Sequence, residues 1–253
     1  MATMEIVDQK KIGERSAEVA RRWLETLAAA RELDPAGRPA PLASMAKRIE
    51  HTLLNAGASD EDVARLCEEA AQHSFRGVCC FPRDVAVCKK SLEGSGVIVV
   101  TVLDFPLAGG TEQNASSQCR RVLEAGADEV DMVVDIRALR RDDPATASAG
   151  IARVVEAAGG RPVKVILETG LLTRDQIAAG CAASEAAGAS FVKTCTGYGP
   201  RGASEEDIAI MRAAVGDRLG VKASGGISDA EKAARMVELG ADVIGTSKGT
   251  RCV

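Results

Sequence analysis

From Arg48 onward the chain alternates between two patterns of apolar and polar positions. Short apolar runs rich in Val and Ile read as strands: Arg48–Leu54, Gly77–Pro82, Val97–Pro106, Glu129–Ile136, Pro162–Gly170, Phe191–Gly197, Gly220–Ile227 and Val243–Gly249. Between them, apolar residues recur at helical spacing, most clearly over Asp60–Ser74, Glu112–Ala125, Thr173–Ala187 and Ser228–Leu239. Helix starts are marked by a serine followed by acids, at Ser59-Asp60-Glu61, Ser204-Glu205-Glu206 and Ser228-Asp229-Ala230-Glu231. Three helices close on the same turn, with Gly126, Gly188 and Gly240 each set between small residues just before the next strand. Glycine there supplies a left-handed C-cap, and the recurrence is a weak internal repeat of one strand–helix unit. Eight strands alternating with helices predict an α/β fold, a TIM (β/α)8 barrel. A doubly wound sheet is the alternative, but no G-x-G-x-x-G follows the first strand.

Ahead of the barrel, Glu14–Leu33 reads as an additional N-terminal amphipathic helix with Ala20, Trp23, Leu24 and Leu27 on one side. Asp34-Pro35 ends it, and Gly37–Pro41 makes a stiff linker. The expected organisation is an N-terminal helical extension and linker over residues 1–41 and a catalytic barrel over 42–253. The extension is expected either to cover apolar barrel surface or to contact a partner.

Composition narrows the function class. Aromatic residues make up only 2% of the chain, so the core must be built from Ala, Val, Ile and Leu, which suits helices packed on parallel strands. A formal charge of −4 argues against a nucleic-acid surface. No apolar run reaches membrane-spanning length, and the N-terminal residues lack a signal peptide's apolar stretch, so a cytoplasmic protein is expected. The eight cysteines include no C-x-x-C and there are two histidines, so neither a metal site nor a disulfide framework is expected. No cofactor is expected either.

Two lysines carry the chemistry. Lys193 in FVKTCTG and Lys222 in GVKASGGI sit one strand–helix unit apart, each inside an apolar run and each followed by glycine. A lysine within a buried strand must have its ammonium desolvated or lose its proton. Two on neighbouring strands would each lower the other's pKa, leaving a neutral amine able to attack a carbonyl and form a Schiff base. Alternation along the strands groups Lys193 with Cys195, Lys222 with Ser224, Lys164 with Ile166 and Glu168, and Asp131 with Val133 and Asp135. Any one of these ionic residues alone would read as part of a satisfied interior network. Three lysines and several carboxylates on converging strands tip the reading towards a catalytic site.

The segments EVDMVVDI, KVILETG, FVKTCTG, VKASGGI and IGTS together resemble the deoxyribose-phosphate aldolase family, in order and over nearly the whole chain from Ile49 to Gly249. GVCCFP and TVLDFPL resemble that family's second and third strands. The resemblance implies a TIM barrel and a class I, Schiff-base aldolase. It implies reversible cleavage of 2-deoxy-D-ribose 5-phosphate to acetaldehyde and D-glyceraldehyde 3-phosphate, a step of deoxyribonucleotide breakdown. By position, Lys193 matches the imine-forming lysine, Lys222 the second lysine that perturbs it, and Asp131 the aspartate of the acid–base relay. The implied partners are small phosphosugar and aldehyde substrates, and the implied assembly is a homo-oligomer, a dimer or larger.

A phosphate would need backbone N–H donors near the seventh and eighth strands. Gly225-Gly226 before the helix start at Ser228, and Gly245-Thr246-Ser247 at the end of strand eight, offer small residues, free amides and hydroxyls. Gly197 and Arg201 lie in the loop after Lys193 as further candidates. The chain departs from the family's pattern at Glu50 (usually aspartate), Asp135 (commonly asparagine), Cys195 (commonly serine) and Lys248 (frequently serine); none removes a reacting group. Cys79 reads as a packed, inert thiol. Two alternatives stay open: a Schiff-base phosphosugar aldolase with a different donor, and a non-catalytic phosphate-binding barrel.

Overall fold

The computed structural model describes residues 45–106, 108 and 112–253; the helix expected over Glu14–Leu33 and its linker lie outside them. All eight predicted strands form: β1 Ile49–Leu53, β2 Gly77–Cys80, β3 Ile98–Leu103, β4 Glu129–Val133, β5 Val163–Ile166, β6 Phe191–Lys193, β7 Gly220–Ser224 and β8 Val243–Thr246. They pair in parallel and in sequence order, and β1 closes on β8. Every strand stops short of the end the apolar pattern suggests. The last residues of each run leave the sheet to build the loops at the C-terminal face, so hydrophobicity outlasts hydrogen bonding there.

Among the described residues the α-helices are α1 Asp60–Gln72, α2 Val85–Ser91, α3 Glu112–Glu124, α4 Ile136–Arg140, α5 Pro144–Ala158, α6 Arg174–Ala186, α7 Glu205–Val215 and α8 Ala230–Glu238. Capping boxes begin three of them, with Ser59, Thr173 and Ser204 each exchanging hydrogen bonds with the residue three positions on. Each such cap is worth about 1 kcal/mol. The third predicted start shifts by one residue: Asp229, not Ser228, caps α8 by accepting from the Lys232 N–H. Ser228 instead donates to the Asp229 carboxylate. The three repeated turns carry Gly126, Gly188 and Gly240 at φ of +109°, +79° and +111°, as their glycines require. None of the described helices is long and apolar enough to cross a membrane.

Alternation places Val78, Val99, Val130, Val192 and Val221 on the outer face against the helices, where the main apolar core lies. The lumen is divided. On the β2–β3 side it holds a small apolar cluster around Cys79, Val100 and Val102. The β1 and β4–β7 side holds Glu50, Asp131, Lys164, Lys193 and Lys222, all buried. That ionic half positions the site.

Candidate active site

Parallel register sets Asp131 beside Lys164 and Lys193 beside Lys222. The Asp131 carboxylate accepts from three lysines: Lys164 Nζ at 3.1 Å, Lys193 Nζ at 2.8 Å and Lys222 Nζ at 2.6 Å. Glu50 on β1 accepts from Lys222 and from Arg76, and lies 3.3 Å from Lys164. Glu129, two residues before Asp131 on the same strand face, pairs with Lys164 at 2.5 Å and Arg76 at 2.6 Å. The ring of Phe191 lies 5.6 Å from Lys164 Nζ and 5.8 Å from the Arg76 guanidinium, completing the floor.

These contacts correct one expectation. Lys222 does not have its pKa lowered by its lysine neighbour. Burial works against its ammonium, but Asp131 and Glu50 outweigh burial and hold Lys222 above the ordinary lysine value. Lys164 is raised for the same reasons. Burial opposes ionisation of Asp131 as well, yet Lys164, Lys193 and Lys222 together keep it well below the usual carboxylate range. Glu50, buried but facing Lys164 and Lys222, is lowered too. Cys79 is fully buried, and desolvation pushes its thiol up, in keeping with an inert packed residue.

Above this cluster opens a cavity of about 470 Å³, within the range that holds small metabolites. Lys193 lines it; Lys222 and Asp131 are not among the lining residues and lie behind Lys193. Gly197, Gly225, Gly226, Gly245, Thr246 and Ser247, the six phosphate candidates, all line this one cavity. Gly225 and Gly226 have φ of +90° and +71°, backbone conformations that turn the chain sharply away from β7. Gly245 has a second use, because a Cβ there would come within 2.8 Å of Lys222 Cε. Its bare backbone lets Lys222 cross the lumen to Glu50. The Thr246 hydroxyl donates to the Ile227 carbonyl at 2.6 Å and accepts from the Lys248 N–H, so it shapes the rim.

Other candidates fall elsewhere. Arg201 does not line the cavity; its guanidinium grips the Asp207 carboxylate at 2.5 and 2.9 Å and docks on the Thr169 carbonyl. Glu168 shares a face with Lys164 in the alternation, but a left-handed turn at φ +57° redirects it to accept from the Thr196 N–H and hydroxyl. It anchors the loop after β6. Asp135 leaves the lumen to cap α4 through the Ala138 N–H. Cys195 is buried 3.3 Å from the Thr169 hydroxyl, and Ser224 lines the cavity while donating to the Cys195 carbonyl.

Arg76, Glu129 and the lone tyrosine were not among the candidates. Arg76 directly precedes the apolar GVCC run, and Glu129 opens the strand of Asp131, a usable signal of inward charge. Tyr198 stands in a glycine-rich loop; its hydroxyl donates to the Leu54 carbonyl and its ring meets Phe105 edge-on at 5.6 Å. It straps the β6 loop to the end of β1 beside the cavity.

Comparison with known proteins identifies the family of the barrel. Residues 42–249 match the DeoC/LacD family of aldolases. A deoxyribose-phosphate aldolase of Brevibacillus brevis is 46% identical over 210 residues, covering 83% of this chain and 95% of the relative. One from Thermotoga petrophila is 42% identical over 222 residues, covering 88% and 90%. Among solved structures, the tetrameric deoxyribose phosphate aldolase of Aeropyrum pernix superposes with a TM-score of 0.79 at 30% identity, covering 92% of this chain and 94% of that one.

Proposed function

The chain belongs to the DeoC/LacD family of aldolases, and from that premise we propose that it cleaves 2-deoxy-D-ribose 5-phosphate reversibly through a Schiff base on Lys193. The products are acetaldehyde and D-glyceraldehyde 3-phosphate, and the proposed setting is deoxyribonucleotide breakdown in the cytoplasm. The observation that carries the reading is positional: of the lysines hydrogen-bonded to Asp131, Lys193 is the one that lines the cavity.

The neutral Lys193 amine adds to the aldehyde carbon of the open-chain sugar, and loss of water leaves an iminium ion. A base takes the proton of the C3 hydroxyl as the C2–C3 bond breaks. The bonding pair flows into the iminium, giving an enamine and releasing the three-carbon aldehyde phosphate. Asp131, a carboxylate bonded to Lys193 and set back from the cavity, serves as that base through a water. Lys222, held protonated by Asp131 and Glu50, stays an ammonium that hydrogen-bonds Asp131 beside Lys193 and is not the amine that attacks a carbonyl. Protonation of the enamine carbon and hydrolysis of the resulting imine release acetaldehyde and restore the amine. Acid–base help of this kind is worth roughly 10²–10⁴-fold in rate.

The phosphate end is proposed to sit at the rim formed by Gly197, Gly225, Gly226, Gly245, Thr246 and Ser247, with Lys248 beside it. Assembly as a homo-oligomer is part of the same reading, supported by the tetrameric Aeropyrum pernix relative.

Borohydride trapping with acetaldehyde, read by intact mass and peptide mapping, tests the proposal. A two-carbon adduct on Lys193 that is absent from Lys193→Ala is the expected result. No adduct from folded protein would sink it. Turnover of a longer ketose phosphate but not of acetaldehyde-derived products would favour an aldolase with a different donor.

A further inference from the structure

Beneath the reacting lysine, the ionic cluster continues to the floor of the barrel through two residues that line no part of the cavity. Arg76 sits just before β2 with 21% of its side chain exposed, and it bridges Glu50 and Glu129. Glu129 in turn holds Lys164 at 2.5 Å, and Lys164 holds Asp131. The chain of contacts runs unbroken from Arg76 to Lys193.

The charges of this cluster balance when one of its four basic groups is neutral, and Lys193 is the one that faces the cavity. Arg76, Lys164 and Lys222 supply three positive charges, and Glu50, Glu129 and Asp131 three negative ones. With Lys193 neutral, the cluster carries no net charge. A proton on Lys193 as well would leave four positive charges facing three negative ones. Around Lys193, β1 presents Glu50, β2 the buried Cys79 thiol, β4 Asp131, β5 Lys164 and β7 Lys222. The side chains from β3, Val100 and Val102, are apolar, and β8 offers Gly245. Beyond the strand ends, Glu168 is engaged by Thr196, and Lys248 is exposed at the rim.

We propose that Arg76 and Glu129 are positioning residues that set, by the charge they place under the cluster, the pH at which Lys193 becomes a free amine. The inference rests on Lys193 being the imine-forming lysine. Its consequence is a pair of opposite effects from substitutions that break the same ion pair. Arg76→Gln leaves the cluster one positive charge short, so proton retention by Lys193 becomes easier. Glu129→Gln leaves it one negative charge short, so retention becomes harder. A purely structural role would move both variants the same way.

The test is the pH dependence of kcat/KM on deoxyribose 5-phosphate together with the pH dependence of borohydride trapping by acetaldehyde. Arg76→Gln is expected to move the acid limb of both profiles to higher pH, and Glu129→Gln to lower pH, each by about one unit. Arg76→Lys and Glu129→Asp keep the charges and are expected to follow the wild type, and the double variant Arg76→Gln/Glu129→Gln to return close to it. Either single variant decides the sign by itself if the other fails to fold. Shifts in the same direction, or unmoved limbs in an enzyme that still traps acetaldehyde on Lys193, would overturn the inference. Absence of trapping in the wild type would instead overturn the aldolase reading, and this inference with it.

Discussion

Below Lys193, the charged side chains of the lumen meet opposite charges within 3.3 Å, whereas the cavity above it is lined by glycines, hydroxyls and the exposed Lys248, with Leu53, Leu54 and Ile227 on its wall. The lower region is complete without a ligand. Its carboxylates and ammoniums hold one another in place, so the groups that must move protons are oriented before substrate arrives. The upper region is left for the ligand to complete, and its small residues bring backbone close to whatever binds. Within one barrel, burial of mutually satisfied charge marks the chemistry, and open small-residue backbone marks recognition.

Removing the nucleophile should separate the two regions most sharply. Lys193→Met is expected to abolish trapping and lower kcat/KM by at least about 10⁴-fold. Its melting temperature should stay near that of the wild type, since the charges left behind are balanced. Calorimetry showing a large destabilisation would mean that Lys193 is a structural cation of the cluster.

Asp131→Asn should do the reverse, because it strips the shared anion from three lysines. Denaturant unfolding is expected to show a loss of roughly 3–5 kcal/mol, as for one partner removed from a buried pair. A fall in kcat of roughly 10²–10⁴-fold should accompany it. Unchanged stability would show that the cluster is more solvated than its geometry indicates.

The floor also predicts a stability plateau in pH. Asp131 and Glu50 are depressed in the fold, so their contribution is present above the unfolded carboxylate values near 4 and is lost as pH falls through the folded values. Lys164 and Lys222 are raised, so theirs is fully present below the unfolded lysine value near 10.4 and is lost as pH rises through the folded values. Melting temperature followed from pH 3 to 11 should therefore be flat between about 5 and 10, with the acid shoulder reduced in Asp131→Asn. A bell centred on neutral pH would contradict it.

The smallest effect belongs to the rim. Lys248→Ala is expected to raise KM for the phosphorylated sugar about tenfold, close to 1.4 kcal/mol, with kcat little changed. Unphosphorylated deoxyribose should be turned over as before. Equal losses on both substrates would place Lys248 in the chemistry instead of in recognition.

How much of this was legible in the chain depends on the type of residue. Lys193, Lys222 and Asp131 announce themselves because an ionic group inside a β-branched run is costly unless it has work to do or a partner. The six rim candidates could be proposed from resemblance and small-residue loops, and they do converge on one cavity. Arg201 misled, since an arginine in a glycine-rich loop looks the same whether it faces a ligand or, as here, Asp207. Ser228 misled by one position, because Asp229 beside it is an equally good cap and accepts from Lys232.

Local chemistry along the chain was enough to determine the alternation of strand and helix, the repeated glycine turns at Gly126, Gly188 and Gly240, and the presence of inward-pointing charge. These follow from periodicity, backbone freedom and the cost of burying an ion, which act over a few residues. Only closure of the barrel decided which charges meet. Glu50 and Lys222 are brought together because β1 pairs with β8, and Arg76 reaches Glu129 across β3. Whether Lys222 is a nucleophile or a held ammonium depends on those partners, because its protonation is set by the balance of burial and through-space charge that no stretch of sequence contains.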